Sequence, residues 1–123
     1  MLALVTGASS GIGLEYAKQL ARDYHTDLLL VSNQEEEQKK VAADLAAQFG
    51  VKTTPLYADL SKQDAAEQLH QYCLDNNLVV DILVNNAGVF FFNPYCETSM
   101  KRIDLILNLH MITVAKLCRI PRK

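Results

Sequence analysis

The stretch Thr6-Gly7-Ala8-Ser9-Ser10-Gly11-Ile12-Gly13 lies between an apolar run, Leu2-Ala3-Leu4-Val5, and a segment of helical periodicity from Gly11 to Arg22. A buried strand, a glycine-rich turn and a helix start in immediate succession are what a pyrophosphate needs: main-chain N–H groups without side chains in the way, at the positive end of a helix. Gly7 serves the tight turn, Gly11 lets the backbone approach the phosphates, and Gly13 lets helix and strand lie close. Ser9 and Ser10 add hydroxyls. The spacing Gly-x-x-x-Gly-x-Gly differs from Gly-x-Gly-x-x-Gly, and the Lys-Ser/Thr ending of an ATP-type phosphate loop is missing.

Outward from this loop the chain alternates. In the first helix Ile12, Tyr16, Gln19/Leu20 and the alanines recur at three- and four-residue steps. Leu28-Leu29-Leu30-Val31 is a second continuous apolar run, as expected of a strand covered on both faces. Glu35-Glu36-Glu37 opens a second helix with Val41, Leu45 and Phe49 as its stripe and Gly50 as its stop. Val51 to Tyr57 reads as a third strand interrupted by Pro55. Ser61 is the expected N-cap of a helix carrying Ala65, Leu69 and Cys73 and closed by Asn76-Asn77. Val79 to Val84 is the fourth strand. After a loop through Asn93-Pro94, Thr98 or Ser99 caps a last helix whose expected stripe is Ile103, Ile106/Leu107, Met111, Val114 and Leu117. Four strand–helix repeats with buried-type strands predict an α/β fold with a parallel sheet and flanking helices, a single domain over residues 1–123.

Composition narrows the function classes. With 50% hydrophobic and 21% charged residues the chain is globular rather than disordered, and a net charge of −2 gives no electrostatic case for nucleic acid or an anionic membrane. Arg119, Arg122 and Lys123 read as a solvated tail. Cys73, Cys96 and Cys118 show no metal-ligand spacing, which predicts no metal site and free thiols in a reducing compartment. No run reaches the length of a membrane span, and Met1 leads directly into a strand without a signal segment, so a cytoplasmic location is expected.

The loop also resembles that of the short-chain dehydrogenase/reductase family, which reads Thr-Gly-x-x-x-Gly-Ile-Gly. Two further matches carry the resemblance along the chain: Asp59-Leu60 after the third strand, and Asn85-Asn86-Ala87-Gly88 at the end of the fourth. The resemblance implies a Rossmann-type sheet of four strands in the order 3-2-1-4, cut short of the family's full sheet. It also implies a nicotinamide dinucleotide held by Thr6, Gly7, Ser9, Ser10, Gly11, Ile12 and Gly13. Asp59 would bond the adenine amino group beside Leu60, and Asn86, Ala87 and Gly88 would border the nicotinamide ribose. At the end of the second strand, where an acid marks NAD(H) and an Arg NADP(H), stand Ser32-Asn33-Gln34. The missing acid removes repulsion against a 2′-phosphate, and Ser32 and Asn33 offer donors, which favours NADP(H) over NAD(H).

The family's activity is carbonyl/alcohol interconversion, with a Tyr-x-x-x-Lys pair as acid–base machinery. The residues four places after Tyr16, Tyr24, Tyr57, Tyr72 and Tyr95 are Leu20, Leu28, Ser61, Asn76 and Ser99; none is Lys. The oxidoreductase reading therefore stands beside an alternative: a nucleotide-binding fragment without turnover. A methyltransferase-like domain is disfavoured, since its acidic residue and Gly-x-Gly run after the first strand are lacking. For the family's supporting Asn on the last helix two candidates remain, His110 by count and register, and Asn108 by residue type. They stand about 200° apart on an ideal helix. The substrate is a small molecule of unknown identity, with Phe90-Phe91-Phe92 as a hint of an apolar wall. Self-association is expected through an open fourth-strand edge or the last helix.

Overall fold

The structure, a computed structural model, describes residues 1–89 and 94–120; Phe90-Phe91-Phe92, Asn93, Arg122 and Lys123 lie outside the described residues. Four strands, β1 (Leu2–Thr6), β2 (Asp27–Ser32), β3 (Thr53–Tyr57) and β4 (Ile82–Val84), form one parallel sheet in the order β3-β2-β1-β4. This is the order that the family resemblance implied. Leu4 stands opposite Leu29 on one side and Leu83 on the other, so β1, like β2, is an interior strand of the sheet.

Strand alternation sends side chains into two cores. Leu4, Leu29 and Val31 pack with Leu69, Cys73, Val80, Leu109 and Leu117, whereas Ala3, Val5, Leu28 and Leu30 pack with Ala17, Ala21, Ala42 and Leu45. Leu28 to Val31 are wholly buried. At about 1.5–3 kcal/mol for each large apolar side chain removed from water, this run anchors the sheet. Pro55 is accommodated because β3 is an edge strand, where a missing N–H is tolerated. Desolvation in the first core pushes the Cys73 thiol above its ordinary range, which makes it an inert packing group.

The helices α1 (Gly11–Tyr24) and α2 (Glu35–Phe49) cover one face and α3 (Ala65–Asp75) and α5 (Thr113–Leu117) the other, while α4 (Met100–Leu107) leads toward α5. Gly50 closes α2 as expected, its N–H donating to Ala46 C=O. Ser99 rather than Thr98 caps α4, its Oγ accepting from Arg102 N–H.

Several expectations are corrected. In α1 the buried residues are Gly13, Ala17 and Ala21, while Ile12 and Tyr16 face solvent at 71% and 50% exposure. Close seating on the sheet selects small side chains over large ones there. Ser61 does not cap α3, which begins at Ala65 after Asp64; instead its N–H and Oγ both bond Asp59 Oδ1. The last helix is not continuous. A π-turn, Asn108–Ile112, separates α4 from α5, with Thr113 N–H donating to Asn108 C=O. The extra residue shifts the register, so Leu109, Thr113 and Leu117 are buried and Met111 is 63% exposed. The third and fourth strands are also shorter than read. Val51 and Val80 are buried outside them, because burial alone does not extend a ladder.

Candidate cofactor-binding site

The chain runs β1, β2, β3 in one direction across the sheet and then returns to place β4 on the other side of β1. At such a reversal the loops leaving β1 and β4 part and open a crevice at the carboxyl ends of the strands. A cavity of about 320 Å³ occupies this crevice. Of the residues expected from sequence, Gly7, Ser9, Ser10, Ser32, Asn33, Asp59, Leu60, Asn86, Ala87 and Gly88 line it.

Thr6, Gly11, Ile12 and Gly13 do not line it, for different reasons. Thr6 is buried beneath the floor, where its Oγ1 accepts from Asn86 N–H and Ala87 N–H at 3.0 Å each and points to Val84 C=O at 3.4 Å. One hydroxyl thus clamps the ends of β1 and β4 together. Asn86 completes the clamp with its Nδ2 donating to Thr6 C=O and Gly7 C=O at 3.2 and 3.3 Å. Gly13 lies under the same amide: a Cβ there would stand 2.5 Å from Asn86 Nδ2 and closer still to Gly7 O. Gly7 adopts φ +66°, and its added Cβ would meet Asn86 Nδ2 at 2.9 Å. Gly11 opens to solvent, with no atom within 4 Å of a Cβ position, and Ile12 points outward.

The fit to a pyrophosphate rests on the start of α1. Leu14 N–H is the first to bond back, to Ser10 C=O, so the N–H groups of Gly11, Ile12 and Gly13 precede the helical ladder. Ser10, the N-cap, makes no side-chain bond to the helix, and the first turn carries no acid. The positive helix end is therefore left for an anion.

At the β2 end, Ser32 Oγ donates to Ser9 Oγ at 3.1 Å and accepts from Gln34 N–H at 2.9 Å. The hydroxyl read as a phosphate donor is thus engaged in bracing two loops, and Asn33 is the exposed polar group beside it. At the β3 end, two donors from Ser61 converge on Asp59 Oδ1, and Thr113 Oγ1 donates to Leu60 C=O at 2.7 Å, tying α5 to this wall. Beyond β4, in the segment that carries Gly88 and Val89, His110 makes a main-chain contact. Its Nε2 lies 2.9 Å from Val89 O, while Asn108 gives its carbonyl to the π-turn.

Sequence reading missed Val31, Gln34, Ala58, Ser61, Val89, Leu105 and Leu109, which also line the cavity. The first five neighbour residues already singled out, so adjacency was their signal. Leu105 and Leu109 arrive through helix packing and left no local trace. No metal-ligand cluster is found among the described residues, and no helix among them is long and apolar enough to cross a membrane.

Comparison with known proteins agrees with this geometry. The very-long-chain 3-oxoacyl-CoA reductase of Anas platyrhynchos is 32% identical over 122 residues, a match that covers 96% of this chain and 38% of that protein. Its namesake in Schizosaccharomyces pombe is 36% identical over 112 residues, covering 88% of this chain and 32% of that protein. The chain thus spans roughly a third of the length of these curated relatives. Among solved structures, L-sorbose reductase from Gluconobacter frateurii, complexed with NADPH and L-sorbose, superposes with a TM-score of 0.89 at 27% identity, over 98% of this chain and 45% of that one. A short-chain dehydrogenase from Sphingobium yanoikuyae in complex with NADPH gives 0.87 at 30% identity, over 95% and 45% of the two chains. The sequence profile described as short chain dehydrogenase matches residues 1–120, and with the glycine loop, the sheet order and the β4 terminus in place, the chain belongs to the short-chain dehydrogenase family.

Proposed function

We propose that residues 1–123 form one nucleotide-binding unit that holds NADP(H) in the β1–β4 crevice, as the cofactor half of an oxidoreductase interconverting a carbonyl and an alcohol. The observation that carries this reading is the start of α1: three N–H groups ahead of the helical ladder, with no capping side chain and no acid, directly after Ser9 and Ser10, which line the cavity at the sheet reversal. Thr6, Gly7, Gly11 and Gly13 shape the loop, Ser9, Ser10 and Ile12 carry its amides, and Asp59 with Leu60 takes the adenine side. Asn33 takes the adenosine ribose on a loop that Ser32 braces, and Asn86, Ala87 and Gly88 border the far half of the dinucleotide. The bound cofactor would supply the hydride; these residues bind and orient it.

NADP(H) is preferred over NAD(H) because Ser32 and Asn33 stand where a carboxylate would repel a 2′-phosphate. Titration of the chain with NADPH and NADH, followed by nucleotide fluorescence, is expected to give tighter binding of NADPH. Tighter binding of NADH reverses the preference, and binding of neither removes the nucleotide reading.

A second reading is favoured by one specific observation: the 123 residues contain no Tyr-x-x-x-Lys. On that reading the chain by itself binds nucleotide without turnover. The same unit is proposed to self-associate, since among the described residues β4 pairs with β1 alone, and Leu107, Met111 and Ile112 are exposed on the last helical segment. Sedimentation velocity is expected to show species larger than the monomer that dissociate on dilution; a single 13.7 kDa species at all concentrations contradicts this. A cytoplasmic, reducing setting is part of the proposal, supported by the spacing of Cys73, Cys96 and Cys118, which forms no disulfide framework.

A further inference from the structure

The imidazole of His110 makes a contact that the cofactor reading leaves unused. Its Nε2 lies 3.1 Å from Val89 N and 2.9 Å from Val89 O, and its ring lies against Gly88, where an added Cβ would come within 2.7 Å of Cε1. One ring nitrogen cannot accept and donate at once. With the proton on Nδ1, Nε2 accepts from Val89 N–H; with the proton on Nε2, it donates to Val89 C=O. Either tautomer holds the same main-chain unit.

The segment carrying His110 is itself fixed. Its neighbour Leu109 is buried in the core, and Thr113 bonds Leu60 C=O. The π-turn supplies the register that brings the ring to Gly88 and Val89, a placement typical of functional π-turns. Gly88 and Val89 line the cavity on the side of β1 opposite to Ser32 and Asn33. With a pyrophosphate at the α1 terminus and adenosine toward β2, the other half of a dinucleotide has to run toward β4.

We propose that His110 is a positioning residue that holds the Gly88–Val89 main chain as the wall for the non-adenosine half of the dinucleotide. The proposal rests on the nucleotide-binding reading above. It assigns His110 no contact with the reacting atoms.

The test compares two probes on the whole chain: NADPH, and adenosine 2′,5′-bisphosphate, which lacks the far half. Removing one main-chain hydrogen bond that orders the wall is expected to weaken NADPH binding by about tenfold in His110→Ala and His110→Phe, with the bisphosphate changed by less than about twofold. His110→Gln, whose amide offers both a donor and an acceptor, is expected to restore NADPH binding to within about threefold of the parent. Circular dichroism selects the variants that fold, and the Phe and Gln variants decide the matter even if the Ala variant does not.

NADPH binding unchanged in His110→Phe would show that ring volume alone matters and would overturn the proposal. Equal weakening of both probes would overturn it too, as general loosening. A parent chain that binds the bisphosphate as tightly as NADPH sinks this inference but leaves the nucleotide reading intact; one that binds neither probe removes both.

Discussion

Gly13→Ala is expected to destabilise the chain by about 3 kcal/mol or more and to abolish dinucleotide binding, a large effect for one methyl group. The added Cβ would collide with Gly7 O and Gly7 C, the latter at 2.8 Å, and with Asn86 Nδ2 at 2.5 Å. Two of these atoms are backbone, and the third belongs to the amide that joins the glycine loop to β4 through Thr6 C=O and Gly7 C=O. None can retreat without opening the floor of the crevice. Gly11→Ala is the matched control. It has no neighbour within 4 Å of its Cβ and suffers only from φ +58°, a left-handed backbone that costs an ordinary residue about 1–2 kcal/mol. Urea unfolding of the two variants separates crowding from backbone strain: equal midpoints would refute the claim that Gly13 is required by contact with β4.

Thr6→Val is the second large effect, expected to cost about 2–3 kcal/mol although the side-chain shape is conserved. The buried hydroxyl receives the N–H groups of Asn86 and Ala87 at 3.0 Å each, and valine leaves both without that acceptor at the junction of β1 and β4. Thr6→Ser keeps the acceptor and loses one methyl group, worth about 0.8 kcal/mol. The ordering wild type, Ser, Val in denaturant midpoint is therefore expected, with NADPH affinity following the same order because the wall at Ala87 and Gly88 hangs from this hydroxyl. A valine variant as stable as wild type would mean that the β4 terminus is held by other contacts.

Both sites show why the strand-and-loop frame is legible in the sequence. Continuous apolar runs such as Leu28–Val31 need burial on both faces, and Gly7, Gly11 and Gly13 follow a buried strand at a spacing with a mechanical reason for each. Such signals are local, so a linear reading finds them. The role of Thr6 as a clamp left a weaker trace: a threonine in a motif looks like a ligand donor, and only the partner strand some eighty positions away reveals its bonds. Ser32 is the converse case, read as a phosphate donor and found bonded to Ser9 and Gln34.

By itself, then, the sequence determined the parallel α/β frame, the position of the phosphate loop and the strand ends that meet around it, since these follow from burial and from backbone freedom within a few residues. Tertiary structure alone decided which face of α1 is buried, where the last helix breaks into a π-turn, and that His110 lies against Gly88 and Val89 after β4. Those outcomes depend on packing against distant strands. There the fit of small residues to the sheet and one extra residue in a helical turn outweigh the apolar periodicity that a linear reading relies on.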